Sequence, residues 1–302
     1  MIKIGTRESD LAVFQARKVK QKLEALGFEA KLVIVKSEGD KDLITPLYEM
    51  GVQGIFTKTL DTALLNQHID LAVHSLKDVP IQIAHGLCQA AVLPRDSPKD
   101  ILVYKDNLDF LHNTTLSATI ATSSLRRRAQ WWHRYPQHQV ENLRGNVNTR
   151  LKKLEIADWQ GAIFAAAGLE RLDLRPENSI DLDWMLPAPA QGAIAVFCRQ
   201  TDTDSIKICN SFNDTSTALC TQIERQFLKT LMGGCSAPIG ALATLEGSNM
   251  TFKGCVLSLD GREKLAIERT ILLEDMGNFA QDCASELLKK GADKFIKNNN
   301  FK

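Results

Sequence analysis

Apolar and polar positions alternate at two periods along the first third of the chain. Ile2 to Thr6 predicts a strand, and Ser9 or Asp10 then caps a helix in which Ala12, Ala16, Val19, Leu23 and Leu26 recur at helical spacing until Gly27 ends it. A strand over Lys31–Val35, a helix carrying Phe56, Leu60, Ala63 and Leu64, and an apolar run from Ile69 to His74 follow. This β-α-β-α-β order predicts a parallel sheet with helices on both faces. Pro94-Arg95-Asp96-Ser97-Pro98 interrupts both periods and reads as a linker. A second β/α unit succeeds it, with strands at Thr119–Thr122 and Ala162–Ala167. Its helices are marked by Leu125, Ala129 and Trp132 and by Val147, Leu151 and Leu154. The segment Leu186–Gly192 is a second crossing, leading to a strand at Ala193–Cys198. Two linkers between two similar units predict paired lobes around a cleft. The remaining residues change pattern: a helix capped near Asp214 to Ser216, then Gly233-Gly234, then three strand-like runs. The last two runs are joined through Asp260-Gly261, a hairpin signal. A helix carrying Ala280, Cys283 and Leu287 completes a small α+β domain.

The chain has 302 residues, 44% hydrophobic and 24% charged, which suits a globular protein of two or three domains. Lys and Arg (37) nearly cancel Asp and Glu (36), so the overall basic footprint of a nucleic-acid-coating protein is missing. The charge is uneven, however. Residues 122–153 hold eight cations and one acid, Glu141, a local +7 that leaves −6 for the rest. The seven cysteines are widely spaced without a C-x-x-C, arguing against a disulfide framework or a zinc site and for a reducing, cytoplasmic setting. The first residues, MIKIGTRESD, lack the apolar core of a signal peptide, and no apolar run has the length of a membrane span.

The local charge gathers at strand-to-helix turns. Thr122-Ser123-Ser124 precedes a helix whose first turn holds Arg126, Arg127 and Arg128, where cations oppose the helix dipole. Leu143-Arg144-Gly145-Asn146-Val147-Asn148-Thr149-Arg150 repeats the device, and Gly5-Thr6-Arg7-Glu8-Ser9 gives the first lobe its own version. Ligands of open α/β sheets bind at the carboxyl ends of strands, so Arg7, Ser75, Lys77, Ser123 and Arg144 would line one crevice. Arginine forks match carboxylates, and no phosphate-binding glycine motif is present, so the favoured ligand is a polycarboxylate. Simple capping by Ser and Thr with solvated arginines stays open beside this. Asp78, in His74-Ser75-Leu76-Lys77-Asp78-Val79-Pro80, would stabilise a cationic intermediate or move protons, or else only pair with Lys77; His74 reads as packing. Cys235, on the glycine-hinged loop Gly233-Gly234-Cys235, is the candidate nucleophile, whereas Cys88, Cys209, Cys255 and Cys283 read as small core residues.

Seven segments, in order, resemble the porphobilinogen deaminase (hydroxymethylbilane synthase) family. They are Thr6-Arg7-Glu8-Ser9 with Leu11, Ala12 and Gln15; Ala72 to Pro80; Thr122 to Arg127; Leu143 to Arg150; Ala167-Gly168-Leu169 with Arg171-Leu172; Leu186-Pro187-Ala188 with Gln191-Gly192-Ala193; and Gly233-Gly234-Cys235. The resemblance implies an α/β fold with two lobes like type II periplasmic binding proteins and a smaller C-terminal α+β domain with a three-stranded antiparallel sheet. The implied bounds are 1–94 plus 193–212, 98–187 and 215–302. It implies a transferase of tetrapyrrole (haem) biosynthesis, cytoplasmic and monomeric, with no metal, nucleic acid or membrane partner. Four porphobilinogen molecules would condense, each losing ammonia, onto a dipyrromethane cofactor joined to Cys235 by a thioether; hydrolysis would then release 1-hydroxymethylbilane. Each pyrrole bears an acetate and a propionate, which explains the arginines. By family position Asp78 is catalytic and contacts pyrrole N–H groups. Ser75, Lys77, Thr122, Ser123, Arg126, Arg127 and Arg171 would hold the cofactor, and Arg7, Ser9, Arg144 and Arg150 the incoming substrate, with Gln15 and Gln191 lining the cleft. The chain departs from the common family pattern at Glu38, Glu49 and Gln53, where basic residues are usual. The rival reading is a non-enzymatic two-lobed solute-binding protein, which gives Cys235 and a third domain no purpose.

Overall fold

Residues 1–36, 57–231 and 237–297 are described by a computed structural model, and they fall into two units. The first comprises residues 1–36, 57–97 and 191–219, the second 98–190, 220–231 and 237–297.

The first unit opens with β1 (Ile2–Thr6), α1 (Asp10–Ala25) and β2 (Ala30–Ile34), continues with α2 (Lys58–Leu65), β3 (Leu71–Ser75) and β4 (Leu87–Val92), and takes its last strand from 194–199. β1 pairs in parallel with β2 and β3. One face of the sheet buries Ile4, Leu71, Val73, Ile194 and Val196 against Ala16, Val19 and Leu23 of α1. On the opposite face Gly5 makes room for α2: a Cβ there would stand 2.2 Å from Ile69 Cδ1 and 3.0 Å from Leu60 Cδ2.

The second unit contains β5 (Asp100–Tyr104), α3 (Asp109–His112), β6 (Thr119–Ala121), α4 (Leu125–Arg134), β7 (Gln139–Glu141), α5 (Val147–Ile156), β8 (Gly161–Ala165), α6 (Ala166–Glu170) and β9 (Ser179–Asp181). Successive residues feed different cores. Ile101, Val103, Ala162 and Phe164 pack with α5, while Leu102, Ile120 and Ile163 pack with Trp131 of α4. A sheet buried on both faces explains the continuous apolar runs.

Strand β10 (Ile194–Arg199) returns to the first unit, followed by α7 (Thr203–Asn210). The first sheet has the order β2-β1-β3-β10-β4 and the second β7-β6-β8-β5-β9. These are one pattern used twice. In each, three parallel strands are followed by one antiparallel strand supplied by the segment after a crossing, β10 in one and β5 in the other. The wholly parallel sheet expected from the βαβ rhythm is therefore corrected to a mixed one: β10 and β5 run against their neighbours because each enters from a crossing rather than from a helix on its own sheet. The expected strand at Ala162–Ala167 also ends early, since Ala166 and Ala167 already belong to α6. Phe56, assigned to a helix by its spacing, lies outside the described residues.

The C-terminal part is built from α8 (Thr215–Thr230), β11 (Ile239–Glu246), β12 (Asn249–Leu257), β13 (Lys264–Leu272), α9 (Phe279–Lys289) and α10 (Ala292–Lys297). Its sheet is antiparallel in the order β11-β12-β13. Asp214 caps α8 by accepting the Thr217 N–H at 2.7 Å. Phe252 stands between Phe227 of α8 and Phe279 of α9, with ring centroids 4.9 and 6.2 Å away. Among the described residues no helix is long and apolar enough to cross a membrane.

Candidate active site

In the first unit, parallel pairing aligns the carboxyl ends of β1 and β3, so Arg7 and Ser9 leave the sheet at the same end as Ser75, Lys77 and Asp78. Gln15, buried on α1, donates from Nε2 to Ser75 Oγ at 2.7 Å. Leu76 N–H donates to Ala193 O at 3.0 Å, which brings the loop entering β10 to this end as well. There the buried Gln191 accepts from Lys77 Nζ at 3.2 Å through Oε1, and its backbone carbonyl accepts from Arg95 Nε at 2.8 Å. Asp78 ends the single 3-10 turn Leu76–Asp78 and is exposed, while Leu76 and Val79 on either side are buried. The turn is anchored by its apolar neighbours, so its carboxylate can serve chemistry at little structural cost. His74 points away from Ser75 and is buried edge-on to Phe197 at 5.7 Å. Burial first, and then the field of Arg7, push its pKa down to about 4, and its Nε2 has no hydrogen-bond partner among the described residues.

In the second unit the loops after β6, β7 and β8 likewise emerge together. Thr122 is buried, donates its N–H to Glu141 O at 2.8 Å and accepts from Ser124 N–H at 3.3 Å. Ser123 Oγ donates to Leu143 O at 2.7 Å and accepts from Leu143 N–H at 2.9 Å, which ties the two strand-to-helix turns together. Ser124 and Asn146 cap α4 and α5 as their positions predict. Arg150 Nε donates to Gly145 O at 2.7 Å, and Arg144 and Arg171 are buried.

Arg126 and Arg127 point inward. Asp100, fully buried, accepts from Arg126 Nη1 at 2.6 Å and from Arg127 Nε and Nη2 at 2.9 and 2.7 Å. Arg126 also donates to Leu186 O at 2.7 Å and Arg127 to Ile163 O at 3.0 Å. Sequence reasoning missed Asp100 altogether. Its one signal was an isolated acid just after the Pro98 linker, with nothing to mark it as buried. Arg128 takes a third course and lies over the Trp132 ring at 5.3 Å.

Cys235, with the rest of Gly233-Gly234-Cys235, lies outside the described residues, as do Glu38, Glu49 and Gln53. The six described cysteines are all free thiols. Burial raises the pKa of Cys198, Cys209, Cys255 and Cys283, to about 12 for Cys209 and about 11 for Cys283, which leaves these four poor nucleophiles. Among the described residues no group of His, Cys, Asp and Glu is placed to hold a metal ion.

Residues 2–207 match the family model for "Porphobilinogen deaminase, dipyromethane cofactor binding domain", and residues 218–289 match "Porphobilinogen deaminase, C-terminal domain". The chain is 41% identical to the porphobilinogen deaminase of Syntrophotalea carbinolica over 98% of its own length and 95% of the relative's. It is 39% identical to the chloroplastic porphobilinogen deaminase of Pisum sativum, over 98% of this chain and 83% of that one. Among solved structures, the second substrate-binding domain of a putative amino acid ABC transporter from Streptococcus pneumoniae aligns with a TM-score of 0.44 and 10% identity, over 70% of this chain and 91% of that one. With both family domains matched and relatives near 40% identity along almost the whole chain, this protein belongs to the porphobilinogen deaminase family.

Proposed function

We propose that the chain is a transferase of tetrapyrrole biosynthesis that condenses four porphobilinogen molecules, with loss of ammonia, and releases 1-hydroxymethylbilane. The family match across both domains carries this reading. The cofactor of the family is a dipyrromethane, and the donor chemistry here suits its four carboxylates. Among the described residues of the second unit the buried charged side chains are Arg126, Arg127, Arg144 and Arg171 against Asp100 and Glu224. Glu224 is engaged elsewhere, accepting the N–H groups of Ala190 and Ala243. Guanidiniums gathered in this way offer the paired donors that match carboxylates.

When bound, the dipyrromethane supplies the nucleophilic α-carbon on which the product is built. The chain's own residues bind, orient and move charge. Arg171, with the hydroxyls of Thr122 and Ser123, holds cofactor carboxylates in the second unit, together with Arg126 and Arg127, which Asp100 directs. Arg7 and Ser9 of the first unit, and Arg144 and Arg150 of the second, take the carboxylates of the incoming substrate. Gln15 fixes Ser75, and Gln191 fixes Lys77 beside Asp78. The exposed carboxylate of Asp78 accepts pyrrole N–H groups and stabilises positive charge developing on the ring. Cys235 carries the thioether, a role supported by the poor nucleophilicity of the four buried thiols named above. A reducing compartment such as the cytoplasm accords with the free thiols.

Intact-protein mass tests this reading. The purified chain should exceed its sequence mass by two pyrrole units, and Cys235→Ser should lose the increment together with porphobilinogen consumption. An active protein at the bare sequence mass would refute it.

A further inference from the structure

We infer that Asp100 is a positioning residue for the cofactor-binding arginines, an inference that rests on the function proposed above. Asp100 opens β5, and its antiparallel pairing with Ala165 puts it at the sheet end from which the loops after β6 and β8 emerge. Its carboxylate is completely buried, and the side chains of Arg126 and Arg127 beside it are 5% and 7% exposed. Arg127 meets Oδ1 with both Nε and Nη2, and Arg126 meets Oδ2 with Nη1, so each carboxylate oxygen takes a different arginine.

Two guanidiniums thus share one carboxylate. The carbonyls of Leu186 and Ile163 orient the arginines further. Arg126 Nε, moreover, is buried and finds no acceptor among the described residues. Natural proteins seldom leave a buried donor without an acceptor, and a ligand carboxylate supplies one. Without Asp100 the two guanidiniums, adjacent on the first turn of α4, would repel and turn outward. Asp100 therefore sets their direction before the cofactor arrives, and a cofactor carboxylate gives Arg126 Nε its acceptor.

The test compares the purified wild type with Asp100→Asn, which keeps the shape and removes the charge, and with Asp100→Glu, which keeps the charge and moves it by one methylene. Circular dichroism reports folding, and intact mass reports the share of chains carrying the dipyrromethane increment. Folded Asp100→Asn should carry it on at least tenfold fewer chains than wild type. Asp100→Glu should recover part of the loading, with a KM for porphobilinogen severalfold above wild type. Full loading of folded Asp100→Asn overturns the inference. If Asp100→Asn does not fold, full loading of Asp100→Glu at wild-type KM does so. A wild type without the increment overturns the proposed function itself, and this inference with it.

Discussion

Glu224 and Ala190 meet through a 2.6 Å hydrogen bond in which the buried carboxylate accepts the backbone N–H of a residue held at φ 63°. The other oxygen of Glu224 accepts the Ala243 N–H at 2.8 Å, so one side chain on α8 fastens both the second crossing and β11. An acceptor at both ends is what a carboxylate offers and an amide does not. Glu224→Met should leave two buried N–H groups unpaired and cost about 3 kcal/mol. Urea unfolding checks this, and a loss below ~1 kcal/mol would show that the bonds are replaced by others.

Ala190 and Gly192 are both left-handed, at φ 63° and 86°, yet their exchanges should differ in outcome. Ala190→Gly relieves ~1 kcal/mol of left-handed strain while adding a similar unfolded-state entropy, so stability should change by less than ~1 kcal/mol. Gly192→Ala would set a Cβ 2.5 Å from Asp96 O and 2.8 Å from Ser97 O, backbone atoms that cannot rotate aside. A loss of about 3 kcal/mol or more is expected, readable as a lowered Tm.

Burial lowers the pKa of His74 from its ordinary 6.5 to about 4, so on acidification the unfolded chain takes up this proton first. The stability that depends on it is complete above pH ~6.5 and declines as pH falls toward 4, by about 3 kcal/mol in all. Unfolding free energies measured between pH 7 and 4.5 should be less steep in His74→Phe than in wild type. Parallel slopes would assign the acid sensitivity to other groups.

Asp78 is exposed, so its removal should leave folding untouched. Asp78→Ala is expected to keep wild-type stability within the ~0.5 kcal/mol typical of surface sites while lowering kcat at least a hundredfold. Thermal unfolding and single-turnover assays with porphobilinogen separate the two, and near-normal turnover would remove Asp78 from the proposed chemistry.

β1 was legible residue for residue, and α1, α4 and α5 within a position or two, because their periodicity is local. β4 and β5 were not, since LCQAAV and DILVY become strands only by pairing with partners more than 50 residues away. The same limit applies to the site. The strand-to-helix turns at Thr122 and Arg144 announced themselves through composition, and the capping roles of Ser124 and Asn146 followed. That Ser75 meets Gln15, or that Arg127 faces Asp100, depends on which strand ends lie side by side, and no spacing along the chain encodes that.

The placement of β10 between β3 and β4 sets a timetable for synthesis. All strands of the second sheet lie within residues 100–181, so that sheet can close while the ribosome is still extending the chain. The first sheet begins earlier yet waits for residues 194–199, and until they emerge β4 has no neighbour. Of these two sheets the one begun first closes last, and its unpaired strand edge is a part of the nascent chain that folding helpers have reason to shield.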